Sequence, residues 1–224
     1  LTKALANRLP CVLPFVIHSD HTALVQGRTI NDNTRLLDVV VSYANNCNIP
    51  LALISVDQLK AFDRVSQEFL FETLVTFGFR PNIICWICVI YNSFSSSAKT
   101  NGRLTAFIAL ERGLRQGRAL SMPLYVLTAE TLAIHIGENP AIHGLHPPDS
   151  NAEVKLSQFA NDTTLLLIDD QAIAKTFRTF DKYKRASGAK INLSKCKGLW
   201  CGAFAWPSDQ FYGFNWFYNV FGQC

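Results

Sequence analysis

Residues 154–169 read VKLSQFANDTTLLLID and place an Asn-Asp pair between two apolar runs. Both runs are rich in residues that favour strands, and Asn161 and Asp162 tolerate turn geometry. The stretch therefore predicts a hairpin of two strands joined by a tight polar turn. From this pattern alone, Asp162 either caps the hairpin or presents a carboxylate to a metal ion.

A second carboxylate follows an apolar run earlier in the chain. Residues 50–59, PLALISVDQL, form a β-prone stretch that is broken by one charge, Asp57. This pattern is typical of an interior strand that delivers a side chain at its end. If the strand neighbours the hairpin, Asp57 and the hairpin tip face the same edge of a sheet, which is how a two-metal phosphoryl-transfer site is built.

The remaining pattern is mainly helical. Apolar spacing with a helical period predicts helices over 1–9, 31–46, 66–77, 81–92, 122–136 and about 171–186. The first of these is expected to end at Pro10. A short strand is expected within 105–117, and alternation of polar and apolar residues follows Gly188. This order of strands and helices predicts an α+β domain.

Composition sets broad limits on function. The chain has 224 residues, 49% of them hydrophobic, and 21 basic against 17 acidic residues give a net charge of +4. Such a chain can bury a real core, and its charge permits a polyanionic partner without requiring one. The spacing of the seven cysteines favours buried, reduced thiols at Cys85 and Cys88, which is typical of an intracellular protein. The apolar segment 120–136 contains Glu130 and is too short for a bilayer, so no membrane span is expected.

Five blocks then occur in a specific order: SVDQLKAFDRV, GLRQG, FANDTTLLL, SGAKINLSKCK and LWCG. Together with the upstream HTALVQGRTINDNTRLL, they resemble the reverse transcriptase domain of non-LTR (LINE-type) retrotransposons over residues 1–202. The resemblance implies a right-hand polymerase fold with an antiparallel palm sheet packed on helices and a thumb that is absent or incomplete. The expected parts are fingers at about 1–50 and 66–110, a palm at about 51–65 and 111–202, and a truncated, aromatic-rich tail at 203–224.

The resemblance also implies an activity. Proteins of this family synthesise DNA from an RNA template by two-metal nucleotidyl transfer, so the expected partners are RNA template, DNA primer, deoxynucleoside triphosphates and two Mg²⁺ ions. Lys195 matches a possible proton donor to the leaving pyrophosphate. The positions that match metal ligands are Asp57, Asn161 and Asp162.

Other matching positions concern the nucleotide and the nucleic acid. Phe62 matches the aromatic residue that excludes a ribose 2′-hydroxyl. The loop expected beneath the incoming nucleotide and template base comprises Arg115, Gln116 and Gly117. The positions that match nucleic-acid contacts are Arg28, Leu199 and Trp200, although a buried aromatic core explains the last two equally well.

Asn161 departs from the family pattern, which has an aspartate there as the principal metal ligand. An amide brings no charge, and a unit charge about 4 Å from an ion contributes roughly 4 kcal/mol at an effective dielectric of 20. Because each 1.36 kcal/mol of barrier changes a rate about tenfold, a loss of about a thousandfold or more is expected. Asp162 lies one residue further round the tip, so we expect its side chain to point elsewhere and not to replace the missing ligand.

These departures leave two interpretations. Arg118 and Ala119 stand where the family has Cys-Pro, which together with Asn161 suggests a partly degraded copy with impaired polymerase activity. The alternative is a non-catalytic nucleic-acid-binding remnant of a retrotransposon polyprotein. Either would be intracellular, in the nucleus or cytoplasm by the resemblance, and the sequence does not indicate an oligomeric state.

Overall fold

The computed structural model describes residues 2–92, 95–115, 117–147, 152–203, 213 and 215–218. The helices are α1 Thr2–Val16, α2 Ile30–Asn46, α3 Ala61–Arg64, α4 Gln67–Thr76, α5 Pro81–Asn92, α6 Ser121–Gly137 and α7 Asp170–Ser187. The strands are β1 Leu51–Val56, β2 Ser95–Ser96, β3 Lys99–Thr100, β4 Arg103–Leu104, β5 Ile108–Ala109, β6 Leu156–Phe159, β7 Asp162–Leu167, β8 Lys197–Cys201 and β9 Asn215–Tyr218. The predicted α+β class is confirmed, and α2, α4, α5, α6 and α7 match their predicted ranges to within about one residue at each end.

A five-stranded sheet forms the centre of the molecule, with the strand order β6-β7-β1-β8-β9. Its first four strands are antiparallel, as predicted, but β9 pairs parallel with β8, so the sheet is mixed. Parallel neighbours need a connection longer than a hairpin turn, and residues 202–214 supply that length. Strand β9 also lies within 203–224, where the sequence analysis assigned no regular element.

Strand β1 is apolar except for the exposed Ser55, because helices cover most of both faces of the sheet. Ile54 and Val56 belong to a buried cluster with residues of α6 and α7, including Leu132 and Ile173. The opposite face carries Leu51, which belongs to a second cluster with residues of α2. A strand that is buried on both faces loses the usual alternation of apolar and polar residues.

Helix α1 continues through Pro10 and Pro14 to Val16, so the predicted end at Pro10 is wrong. Leu5, Leu9 and Leu13 recur every four residues and are all buried, in a cluster that α1 shares with α4, α5 and α6. This apolar face extends beyond the first proline, and its burial outweighs the backbone hydrogen bonds that the prolines cannot donate.

Helix α5 turns its cysteines away from the core. Ile87 and Tyr91 form its buried face, whereas Cys85 is exposed and Cys88 is partly exposed. The predicted burial of both thiols is therefore wrong, because a helical period places positions 87 and 91 on the opposite side from 85. Among the described helices, none is long and apolar enough to cross a membrane.

Candidate active site

Asp57 and Asp162 face one another where the adjacent central strands β1 and β7 meet the same end of the sheet. The antiparallel register of β1 and β7 ends with the pair Val56 and Thr163, and one further step sets Asp57 against Asp162. Directly opposed residues of an antiparallel pair project from the same face. Burial, followed by the negative charge of Asp57, raises the pKa of Asp162, while Lys195 acts in the opposite direction.

The expectation that Asp162 points away from the site is therefore wrong. Phe159 and Asp162 form the last pair of the β6–β7 hairpin, so the loop consists of Ala160 and Asn161 alone. Ala160 adopts a positive φ of 55°, a geometry found in the tightest hairpin turns. Such a short loop leaves Asp162 as the first strand residue, in register with β1.

Asn161 occupies the turn itself. Its side chain is partly exposed, and its Nδ2 donates a hydrogen bond of 3.4 Å to Asp162 Oδ1. An aspartate at this position would instead place a third negative charge beside Asp162. The amide thus reduces repulsion at the tip and also reduces the charge available to a cation.

Lys195 lies beside the carboxylates. Its Nζ is 3.9 Å from Asp57 Oδ2, and 68% of its side chain is exposed, so this ion pair is weak in water. The loop that carries Lys195 is fixed to the strand end, since Asn192 donates its backbone N–H to the carbonyl of Asp57 over 2.9 Å. The long side chain can therefore move while its backbone stays beside the site.

Phe62 rests on an aromatic residue that the sequence analysis did not identify. The rings of Phe62 and Tyr125 stack with centroids 4.5 Å apart, and Tyr125 is buried with 1% exposure. Burial raises the pKa of Tyr125 well above its usual range, and the charges of Asp162 and Asp57 contribute in the same direction. Tyr125 therefore lies beneath Phe62, close enough to the carboxylates for their charges to act on its hydroxyl. In the sequence it is only one more large residue of an apolar helix.

The loop before Arg115 is held against α3. Leu114 donates its backbone N–H to the carbonyl of Phe62, and Gly113 donates to Val65, both over 2.8 Å. A side chain at Gly113 would press on the backbone of Asp63, and its φ of +96° also favours glycine. Leu114, the residue before Arg115, is thus tied to Phe62, and the carbonyl of Arg115 accepts a hydrogen bond from Ser121 Oγ. Gly117 is exposed, and Gln116 lies outside the described residues.

The three candidate nucleic-acid contacts lie in scaffold positions. Arg28 Nη1 donates to the carbonyls of His18 and His21, and Nη2 donates to Ile17, so the guanidinium holds the chain after α1. Trp200 is 2% exposed and stacks on Trp216 at 3.8 Å, while Leu199 is half-buried against the face that α2 covers. These contacts match the alternative interpretation of Leu199 and Trp200 as core residues.

The donor set fits a hard divalent cation, but with reduced charge. Asp162 and Asn161 at the hairpin turn and Asp57 after β1 offer two carboxylates and one amide, and oxygen donors are those that Mg²⁺ prefers. In the part of the chain that the structure describes, no three His, Cys, Asp or Glu side chains come together as a metal site. Asn161 is the next oxygen donor at the turn, and its Oδ1 would be a neutral ligand.

Comparison with known families identifies the family of this chain. A family profile described as "Reverse transcriptase (RNA-dependent DNA polymerase)" matches residues 1–211. The chain belongs to the reverse transcriptase family. The order of the five blocks in this reverse transcriptase domain is thereby accounted for.

Its relatives are proteins of mobile elements. The domain is 37% identical over 199 residues to the transposon TX1 uncharacterized 149 kDa protein of Xenopus laevis, a match that covers 89% of this chain and 15% of that protein. It is 25% identical to a Pol polyprotein from the type-1 retrotransposable element R2 of Popillia japonica, covering 87% of this chain and 27% of the relative. The predicted origin in a non-LTR retrotransposon is confirmed, and the chain spans about a quarter or less of these relatives.

Solved structures show the same fold. Telomerase from Candida tropicalis, in complex with a fragment of telomeric RNA, superposes with a TM-score of 0.64 at 15% identity, over 93% of this chain and 34% of that one. The apo telomerase truncated from the C-terminal domain gives a TM-score of 0.62 over 94% of this chain. The reverse transcriptase domain thus has an α+β polymerase fold.

Proposed function

We propose that this domain is derived from an RNA-directed DNA polymerase that extends a DNA primer on an RNA template by two-metal nucleotidyl transfer. The observation that carries the proposal is the opposition of Asp57 and Asp162 across adjacent strands, with Lys195 Nζ 3.9 Å from Asp57. In this proposal residues at about 51–65 and 111–202 act as a polymerase palm, residues at about 1–50 and 66–110 act as fingers, and the protein works inside the cell.

Each side chain then has a defined task. When bound, two Mg²⁺ ions would activate the primer 3′-hydroxyl and neutralise the charge of the triphosphate. Asp57, Asp162 and the amide oxygen of Asn161 would hold these ions. Lys195 delivers a proton to the leaving pyrophosphate, which its exposure and its position beside Asp57 permit.

The nucleotide pocket follows from the contacts of α3. Phe62 excludes a ribose 2′-hydroxyl. Its stack on the buried ring of Tyr125 prevents the Phe62 side chain from moving aside. Arg115 and Gly117, with Gln116, lie beneath the nucleotide and the template base. The hydrogen bond from Leu114 to the carbonyl of Phe62 fixes the loop relative to that ring.

Asn161 favours a second candidate, a non-catalytic nucleic-acid-binding remnant. Loss of one charge at the tip weakens the metal site, while salt-dependent binding to RNA through basic residues does not need that charge. The two candidates differ in metal dependence. A polymerase site binds nucleotide more tightly with Mg²⁺, whereas a remnant binds RNA equally well with or without it.

The test is binding of deoxythymidine triphosphate to the chain, titrated with and without Mg²⁺. The proposal predicts that Mg²⁺ strengthens nucleotide binding and that Asp57→Asn removes the gain. Asp38→Asn, an exposed change on α2, is the matched control and should leave the gain intact. If RNA binds but Mg²⁺ leaves nucleotide affinity unchanged, the non-catalytic candidate is favoured.

A further inference from the structure

A cleft of about 510 Å³ lies behind the strand end that carries Asp57, between α7 and the segment 189–193. Its walls are largely apolar, formed by Phe177, Phe180 and Tyr183 of α7 with Ile191 and Leu193 opposite. The volume falls in the range of small-molecule sites, which is about 300 to 1,000 Å³. The lining includes none of the residues assigned above to metal, nucleotide or nucleic acid.

A buried amide lines this cleft without satisfying its donor. Gln58 is 5% exposed, and its Nε2 finds no hydrogen-bond acceptor among the described residues. Its position is fixed from behind, since residue 58 forms a β-bridge with Ile191 and the next residue, Leu59, donates its N–H to the carbonyl of Lys190. An unpaired buried donor destabilises the folded state. Because Nε2 is covered in the empty cleft, a ligand oxygen reaches it only when the Gln58 side chain turns toward the cleft.

The rim of the cleft is basic. Arg178, Lys184 and Lys190 contribute three positive charges, against one negative charge from Asp181. Within the described part of the chain, none of these four side chains has an ion-pair partner within 4.0 Å. The excess of positive charge favours an anion at the mouth of the apolar cleft.

We propose that this cleft binds a small organic anion. An aromatic or branched apolar body lies against Phe177, Phe180 and Leu193, and a hydrogen-bond acceptor on that body receives Gln58 Nε2. A carboxylate or sulfonate then lies at the rim near Lys184 and Lys190. The proposal does not rest on polymerase activity, because the cleft needs neither Mg²⁺ nor nucleic acid.

Fluorescence titration of the full chain with 8-anilinonaphthalene-1-sulfonate tests the proposal. The sulfonate should bind saturably at one site, and Lys184→Glu or Lys190→Glu should each weaken it by roughly three- to tenfold. Lys182→Glu is the matched control, because this exposed lysine lies on α7 but does not line the cleft. The uncharged N-phenyl-1-naphthylamine should bind equally well to all three variants.

Ala174→Trp fills the cleft and should remove binding of both dyes. Circular dichroism and a cooperative thermal transition establish that each variant is folded, and the charge reversals carry the test if Ala174→Trp does not fold. Binding that does not saturate, or equal affinity in the Lys182, Lys184 and Lys190 variants, would overturn the proposal. Displacement of the sulfonate by an RNA oligonucleotide would also overturn it, since the cleft would then belong to nucleic acid.

Discussion

At the scale of single residues, the site depends on how two carboxylates tolerate each other without a cation. Asp57 and Asp162 are opposed across two strands. Among the described residues, Lys195 is the one cation that forms an ion pair within 4.0 Å with either of them. Asn161 donates a hydrogen bond to Asp162 and so offsets part of the repulsion. The same amide that eases folding in the absence of metal lowers the charge offered to Mg²⁺.

The raised pKa of Asp162 predicts a pH-dependent effect of removing its charge. Because the native state binds this proton more tightly than the unfolded state, wild-type stability falls as pH rises from 3.8 through the raised native value. Asp162→Asn should therefore be more stable than wild type at pH 7 in Mg²⁺-free buffer, by less than about 1 kcal/mol because the group is exposed. Urea unfolding at several pH values measures this.

The advantage of Asp162→Asn should shrink as the pH falls and vanish below 3.8, where Asp162 is protonated in both the native and the unfolded wild type. Asp38→Asn on α2 provides the comparison for a carboxylate that faces solvent. A lower stability of Asp162→Asn at neutral pH, without metal, would contradict the proposed repulsion between Asp57 and Asp162.

The stack of Phe62 on Tyr125 predicts energetic coupling between these two positions. In a double-mutant cycle with Phe62→Leu and Tyr125→Leu, the coupling free energy should be about 0.5–1.5 kcal/mol, because offset stacking adds to the burial of each ring. Chemical denaturation of the four proteins gives this value. Additive effects within experimental error would show that Tyr125 does not support Phe62.

The sequence identified the carboxylates but could not establish their geometry. Asp57 after an apolar strand and Asp162 at a hairpin tip are local signals, so the residue pattern alone could suggest their roles. Whether Asp162 faces Asp57 depends on the length of the turn, because one residue more or less reverses the side of the sheet. The stack of Phe62 on Tyr125 and the cleft at Gln58 join distant segments, and no local pattern indicates them.

At the scale of elements, helices are held by their buried stripes and not by propensity alone. In α1, Leu13 is fully buried while Phe15, two residues later, is 87% exposed. Substitutions at these two positions therefore compare a buried and an exposed side chain of the same helix. The burial of Leu13 is what allows α1 to continue past its two prolines.

Leu13→Ala should lower the free energy of unfolding by about 2–5 kcal/mol, since it removes buried methyl groups and leaves a cavity. Phe15→Ala removes a larger side chain and should change stability by less than about 0.5 kcal/mol. Urea denaturation of both variants measures the difference. Equal effects would mean that α1 does not pack on the helical core as described.

Two glycines should likewise differ in how much a substitution to alanine lowers stability. A methyl group at Gly198 of β8 would overlap the indole of Trp216 on β9, whereas Gly137 at the end of α6 has no atom within 4 Å of that position. Gly198→Ala should destabilise the protein by about 1–3 kcal/mol through overpacking. Gly137→Ala should leave the stability unchanged. Thermal unfolding of the two variants measures the difference. An unchanged stability in Gly198→Ala would contradict the packing of β9 against β8.

At the scale of the whole molecule, the sheet brings three distant segments of the chain together at the ends of its central strands. Strand β1 lies between β7 and β8, so residues near 57, 162 and 195 meet although they are far apart in sequence. The helices and the hairpin were predictable because their apolar periods are local and strong. The short strand expected within 105–117 is present as β5. The parallel pairing of β9 and the strands β2, β3 and β4 could not be predicted, since their sequences carry too few residues to show a period.

Primer extension tests the central claim most directly, namely that this site polymerises DNA and is weakened at Asn161. A DNA primer annealed to an RNA template, with deoxynucleotides and Mg²⁺, is given to the wild-type chain, to Asn161→Asp and to Asn161→Asp combined with Asp57→Asn. The account predicts extension by Asn161→Asp that is about a thousandfold faster than by wild type, and its loss in the double variant. Equal rates for wild type and Asn161→Asp, or extension that survives Asp57→Asn, would contradict it.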